Sequence, residues 1–184
     1  MQLREVVSLD LEYNQQSGKI IQIGAAIGDM RTSSILESFS VIVNPGEPIS
    51  DFIQTLTGVT QQRVDEEGMD LKSAAALLFA FIARHKPFMN PVVWGIGDSE
   101  SLREELGLKD ERWVFGRRTI DTKTIHVAMC LARGISTKGG LGATMAKHYG
   151  LTFDGRAHDA KVDAENTLKL FFEMQRRYFL VPNA

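Results

Sequence analysis

The sequence predicts an α/β fold in which a three-strand antiparallel meander is extended by parallel strands into one mixed sheet flanked by helices. Residues 6–11, 19–27 and 35–43 are consecutive β-rich runs separated by short polar breaks that contain glycine, the pattern of strands joined by tight turns. From residue 92 onward, short strand-like runs alternate with helix-length segments, which is how parallel strands enter a sheet. The 184 residues are 43% hydrophobic, enough for a core that needs no disulfide or structural metal.

Taken in order, Ser17-Gly18 and Gly28-Asp29 supply turn chemistry between the first three strands, and Asn44-Pro45-Gly46 ends the third. Ser50 with Asp51, and Thr60, are placed to cap short helices across the 50s and 60s, since their side-chain oxygens accept backbone N–H groups that a helix start leaves unpaired. Residues 71–83, rich in alanine and leucine and followed by Pro87, predict a helix. A short strand follows at Val92, Val93 and Trp94. Helices over 99–106, 122–132 and 141–149 are closed by Gly107, Gly134 and Gly150, with a strand at 118–120 before the second of them. A long helix from about residue 159 to residue 178 completes the pattern, and no repeat or linker divides residues 1–184, which read as a single domain.

Lys and Arg number 21 against 23 Asp and Glu, so no overall positive field advertises a nucleic-acid or anionic-membrane partner, and any such partner must be held by a local patch. The longest apolar runs, such as residues 74–83, fall well short of the roughly 18–20 residues of a membrane span. The start of the chain lacks the pattern of a signal peptide, and a cytoplasmic protein is expected. Cys130, the single cysteine, excludes an intramolecular disulfide and any cysteine-based zinc site, and its place in the run 125–131 marks a buried helix face.

Acids stand out on three elements. Asp10 and Glu12 are two apart in the first strand, so they leave the same face and converge. Burying both is costly unless a cation compensates them; the alternative is that they have already emerged into a solvated turn. Asp98 follows a strand in Trp94-Gly95-Ile96-Gly97-Asp98, where it either opens the next helix as an N-cap or lines a ligand site beyond the strand's carboxyl end. His158 and Asp163 are five apart, about 140° around an ideal helix, and do not share a face unless His158 sits in the loop that enters the helix. The alternative there is a solvated histidine and a first-turn acid favoured by the helix dipole.

In this order, Asp10-x-Glu12, Asp98 and His158-x4-Asp163 resemble the three motifs of the DEDDh, or DnaQ-like, 3′→5′ exonuclease superfamily, over essentially the whole chain. Trp94-Gly-x-x-Asp98 and Phe153-Asp154-Gly155-Arg156-x-His158 look most like its KapD-like and ERI-type branch, many of whose members act on RNA. The resemblance implies a ribonuclease H-like fold. It also implies two divalent ions, Mg²⁺ or Mn²⁺, held by Asp10, Glu12, Asp98 and Asp163, with His158 as general base. Two such ions about 3.5–4 Å apart make a nucleophile from water and neutralise charge on both the attacking and the leaving oxygen. Hard oxygen donors without clustered Cys or His ligands favour these ions over zinc.

By the same resemblance, Leu56 and Thr57 of Leu56-Thr57-Gly58-Val59 lie beside the terminal nucleotide, as do Leu11 and Trp94. Trp94 stands where many members place Asn, and Tyr13-Asn14 where Thr-Thr or Ala-Thr is frequent; these departures bear on substrate choice rather than on metal binding. Arg112, Arg117, Arg118 and Lys123 with Trp113 and Phe115 are either a single-strand binding patch or a solvated loop with Trp113 tucked into the core. His85, His126 and His148 occupy ordinary helix positions, and Asp121 reads as a helix cap. The expected activity is metal-dependent 3′→5′ release of nucleoside monophosphates from single-stranded RNA or DNA 3′ ends, RNA slightly preferred. The alternatives are a DNA proofreading or repair exonuclease and a catalytically silent nucleic-acid-binding adaptor domain.

Overall fold

In the computed structural model, which describes residues 4–15, 17–109 and 113–178, the alternation of β1 (Glu5–Asn14) divides the molecule into two layers of core. Val7, Leu9 and Leu11 point to one side of the sheet, while Val6, Ser8, Asp10 and Glu12 point to the other. β1 pairs antiparallel with β2 (Lys19–Asp29), which pairs antiparallel with β3 (Ser34–Ile42). On its other edge β1 pairs in parallel with β4 (Phe88–Val93), and β4 with the two-residue β5 (Ile120–Asp121), giving the order β3-β2-β1-β4-β5. This is the mixed sheet that the sequence predicts.

Helices cover both faces. α1 (Asp51–Thr57) and α2 (Gln61–Glu67) start at Ser50 and Thr60, whose hydroxyls accept from Ile53 N and Arg63 N as the sequence indicates. α3 (Leu71–His85) buries Ala74, Leu78, Phe81 and Ile82 against the odd-numbered face of β1 and against Ile23, Ala25 and Ile27 of β2. α4 (Asp98–Leu106) adds Leu102 to that cluster. The opposite face belongs to α7 (Ala160–Tyr178), whose Ala164, Leu168, Phe171 and Phe172 pack on Val6, Ala26 and Val92. α5 (Thr122–Ala132) packs against β4 and α7, and α6 (Leu141–Thr144) against α7. Among the described residues no helix is long and apolar enough to cross a membrane.

Three small residues on β2 let α7 lie close. Gly24, Ala26 and Gly28 alternate along the face it covers. A Cβ at position 24 would fall 2.0 Å from the backbone carbon of Ala160, and one at 28 would fall 2.5 Å from Cζ of Phe172. Gly28 therefore serves packing and not the turn expected of it: β2 runs on to Asp29, whose Oδ1 accepts from Arg31 N at 2.7 Å and Thr32 N at 3.1 Å to bend the chain.

Other boundaries move for local reasons. β1 extends to Asn14, so Asp10 and Glu12 lie within the strand and not in a turn after it. β4 ends at Val93, which leaves Trp94 just beyond it. The segment expected as one helix over 141–149 is α6 followed by a π-helical turn, Met145–Tyr149, ended by Gly150 in the left-handed region (φ 67°).

Candidate active site

Asp10 pairs with Gly24 across β1 and β2, and Glu12 with Gln22. Because Gly24 has no side chain, the start of α7 rests on the sheet at that point, and Gln22 Oε1 accepts from Ala160 N at 3.2 Å to hold it there. One turn later Asp163 faces the two strand acids. Glu12, His158 and Asp163 present one donor atom each within 4.8 Å of one another.

The entry to α7 places His158. Asp159 Oδ1 accepts from Lys161 N at 3.1 Å and Val162 N at 3.3 Å, so the helix starts after residue 159 and His158 stays in the preceding turn. His158 has φ +62°, a backbone conformation uncommon outside glycine, and its N–H donates to Asp163 Oδ2 at 3.2 Å. Asn166 braces this turn from inside the helix, with Oδ1 accepting from Asp154 N at 3.1 Å and Nδ2 donating to Asp154 O and Val162 O. The imidazole is left exposed beside the buried Glu12 and the half-buried Asp163.

Asp98 arrives from β4. Gly95 (φ 97°) and Gly97 (φ 122°) take the backbone through conformations closed to most residues, and Asp98 becomes the first residue of α4. Gly97 holds the N-cap position, where no side chain caps the helix, so the N-cap role is not filled by Asp98. Its Oδ1 instead accepts from the Tyr13 hydroxyl at 3.1 Å. Tyr13 follows a register shift in β1 after Glu12. Position 13 thus bears directly on a candidate metal ligand and not on substrate choice alone; nothing in the spacing of the sequence marks that contact. Asp121 caps α5 through Lys123 N at 3.0 Å and also accepts from Gly95 N at 2.9 Å, which pins the loop carrying Asp98.

The four carboxyls oppose one another. Burial, then the charges of Asp98, Asp163, Glu12 and Asp159, raise Asp10 well above the usual carboxylate range. Burial and the neighbouring Asp163, Asp98 and Asp159 push Glu12 up to about 8. Burial takes Asp98 to about 6 against the opposing Tyr13 hydrogen bond, and Asp163 to about 6 against the N–H and charge of His158. Asp163 Oδ1 is buried with no hydrogen-bond partner. A cluster of acids that resists ionising, with an orphaned carboxylate oxygen, fits a hard divalent cation such as Mg²⁺ or Mn²⁺.

The remaining sequence candidates fall in varied places. The Leu11 side chain is buried in the opposite core layer, so its backbone alone faces the acids. Thr57 is buried, with its hydroxyl donating to Ile53 O at 2.8 Å and accepting from Val59 N at 3.0 Å, which closes α1. Leu56 is half-buried at the end of α1, and Arg156 ties that end to the loop before His158 through Thr55 O and Leu56 O. Trp94 packs among Leu141, Met145 and Leu170, its ring 6.2 Å from that of His126. Trp113, half-buried, meets the buried Phe115 edge-to-face at 5.3 Å against the core, as the loop alternative has it; Arg112 lies outside the described residues.

A mixed sheet that brings acids from its central strand, from the loop after a parallel strand and from a terminal helix together beside an exposed histidine defines a DEDDh-type nuclease. The family model for RNase_T, described as exonuclease, matches residues 5–171, and the chain belongs to this exonuclease family. A search of curated proteins finds no match. Among solved structures, the nuclease domain of 3′hExo, a DEDDh family member bound to rAMP, is 18% identical with a TM-score of 0.78, over 96% of this chain and 94% of that one. A 3′-exonuclease in a structure of 3′-end-specific recognition of histone mRNA stem-loop is 18% identical at TM-score 0.78, over 97% and 84%. Cell-death related nuclease 4 (CRN-4) is 18% identical at TM-score 0.80, over 96% and 65%.

Proposed function

We propose that this protein is a divalent-metal-dependent 3′→5′ exonuclease that releases nucleoside monophosphates from single-stranded ends, with RNA slightly preferred over DNA. The observation that carries this reading is the convergence of Asp10, Glu12, Asp98 and Asp163 beside His158 on its left-handed turn. The similar structures bound to rAMP and to histone mRNA support the RNA preference. Asp10, Glu12, Asp98 and Asp163 would hold the metal, which when bound activates water and offsets charge on the phosphodiester oxygens.

The chain's own part is to position groups and to move a proton. His158, exposed beside the buried Glu12 and the half-buried Asp163, takes the proton of the attacking water at a ring nitrogen; the bond from its N–H to Asp163 fixes the turn that presents it. Tyr13 holds Asp98 by donating to Oδ1, and the glycines at positive φ before Asp98 let the strand end approach the substrate backbone. Leu56 borders the terminal nucleotide, aligned by Arg156. A silent adaptor has no use for four mutually repelling acids that are buried or half-buried, whose cost the fold bears.

The test is hydrolysis of 5′-labelled and 3′-labelled single-stranded RNA and DNA of one sequence with Mg²⁺, Mn²⁺ or EDTA. The expected result is a 5′-labelled ladder shortening from the 3′ end, immediate release of labelled mononucleotide from the 3′ label, faster decay of RNA, and no reaction in EDTA. Internal cuts, 5′-end release or no metal-dependent hydrolysis would overturn the reading; faster DNA decay would overturn the RNA preference.

A further inference from the structure

Away from the acids, the fold assembles a second set of metal-ligating groups. His126 and Cys130 are four residues apart on α5 and share a face, and His148 meets them from the π turn. One donor atom from each lies within 4.8 Å of the other two. Cys130 Sγ is 3.3 Å from His126 Nε2, and the rings of His126 and His148 meet edge-on at 4.8 Å. Zinc with sulfur at about 2.3 Å and nitrogen at about 2.0–2.1 Å holds those donors roughly 3.5 Å apart in a tetrahedron, so the sulfur and nitrogen here stand near bound spacing.

Two further features suit a metal. His126 Nδ1 lies 3.4 Å from the Tyr149 hydroxyl; the tautomer that donates from Nδ1 turns the Nε2 lone pair toward Cys130, as an outer partner does for a metal-bound imidazole. The π turn contributes the other. Successive side chains diverge less there than the ~100° of an α-helix, so His148 and Tyr149, adjacent in sequence, both reach His126. Such turns recur at functional sites. Burial and the neighbouring His148 also lower His126, favouring its neutral, ligating form.

We propose that His126, Cys130 and His148 form a Zn²⁺ site, with a water molecule completing the tetrahedron on the half-exposed His148 side. The thiolate and two imidazoles select a softer ion than the oxygen donors of the acid cluster. On this proposal a single cysteine suffices for a zinc site, because the fold supplies the imidazoles from two separate helices. The ion would act as a brace: α5 is bound to the end of β4 by Thr122 Oγ1 donating to Val93 O at 2.7 Å, and His126 abuts Trp94 on the loop that leads to Asp98.

The test is titration of the metal-stripped full-length protein with Co²⁺. One equivalent is expected to produce a near-ultraviolet thiolate-to-cobalt band and tetrahedral visible bands, both removed when Zn²⁺ is added. Cys130→Ser should abolish the near-ultraviolet band. His148→Gln, at a half-exposed position that leaves the fold intact by circular dichroism, should weaken Co²⁺ binding at least tenfold. Asp163→Asn should keep the band, which separates this site from the acid cluster. Zn²⁺ should raise Tm in the wild type and clearly less in His148→Gln. Absence of a thiolate band at stoichiometric Co²⁺, its persistence in Cys130→Ser, or equal Zn²⁺-dependent Tm shifts in wild type and His148→Gln would overturn the site, whatever the hydrolysis assays show.

Discussion

Glu12 and Glu37 are glutamates on strands of one sheet, and their surroundings drive them in opposite directions. On β1, burial and three neighbouring acids push Glu12 up to about 8. On β3, His85 Nε2 at 2.7 Å and an Arg84 nitrogen at 2.8 Å hold Glu37 below its usual range. Glu173 is lowered likewise by Arg176 and Arg177. The outer acids favour the folded chain, whereas the cleft acids oppose it until a cation joins them. The cleft is therefore retained at the expense of stability, which is the mark of a site that serves chemistry.

Removing a cleft acid should break this contrast most sharply. Asp10→Asn and Asp163→Asn are each expected to lower hydrolysis about 10³-fold or more, the equivalent of several kcal/mol of lost charge stabilisation, without lowering the metal-free Tm. Rates on labelled RNA and calorimetric melts check both halves, and a rate within tenfold of wild type would take that acid out of the site. His158→Ala removes the proton acceptor alone, so kcat should fall about 10²- to 10⁴-fold while Mn²⁺ binding by calorimetry stays near wild type. The dependence of kcat on pH should be weaker in that variant than in the wild type. Lost Mn²⁺ binding would make His158 a ligand.

Gly24→Val keeps every acid and should still separate them. Its side chain would meet the backbone of Ala160, lifting the start of α7 and Asp163 with it. Misplacement of about 1 Å costs on the order of 10²-fold in rate, and here the melting temperature should also drop, unlike in the acid variants. Wild-type activity in Gly24→Val would show that the close approach of α7 does not set the site.

The two sets of acids also predict opposite pH dependence. Carboxyls raised in the folded state bind protons more tightly there than in the unfolded chain, so metal-free stability from the cleft is fullest below about pH 4. It is lost as pH rises through about 6 for Asp98 and Asp163 and about 8 for Glu12. The lowered outer acids contribute above the ordinary carboxylate range and lose that contribution as pH falls. Melts from pH 5 to 8 should therefore show a Mn²⁺-induced stabilisation that grows with pH, reaching the order of a few kcal/mol. A stabilisation that is flat with pH would contradict the raised cleft acids. The smallest effect is expected for Glu173→Gln, which loses ion pairs to Arg176 and Arg177; denaturant melts should shift by no more than about 1 kcal/mol, with kcat unchanged.

Much of this arrangement is legible in the chain because it depends on near neighbours. Ser50 and Thr60 cap their helices, Gly107 and Gly150 close theirs, and Thr122–Ala132 is a helix with Asp121 at its start. The alternation that puts Asp10 and Glu12 on one face, and the late start of α7 that leaves His158 in a turn, follow from strand geometry and a capping acid. Trp113 and Phe115 stayed open between two readings, because aromatic residues among cations look alike in sequence whether they stack on a base or on each other. Gly28 misled: a glycine near a strand end suggests a turn unless the helix that crosses it is known.

By itself, then, the sequence determined the meander, the helix limits and which groups could carry the chemistry, since periodicity and capping act over a few residues. Tertiary structure alone decided which of them meet. Gly24 admits α7 to the sheet, Tyr13 reaches Asp98, and His126 and Cys130 find His148 across two helices. Each contact joins residues far apart along the chain, and its existence depends on how closely two packed elements approach, a distance that sterics across the whole core set.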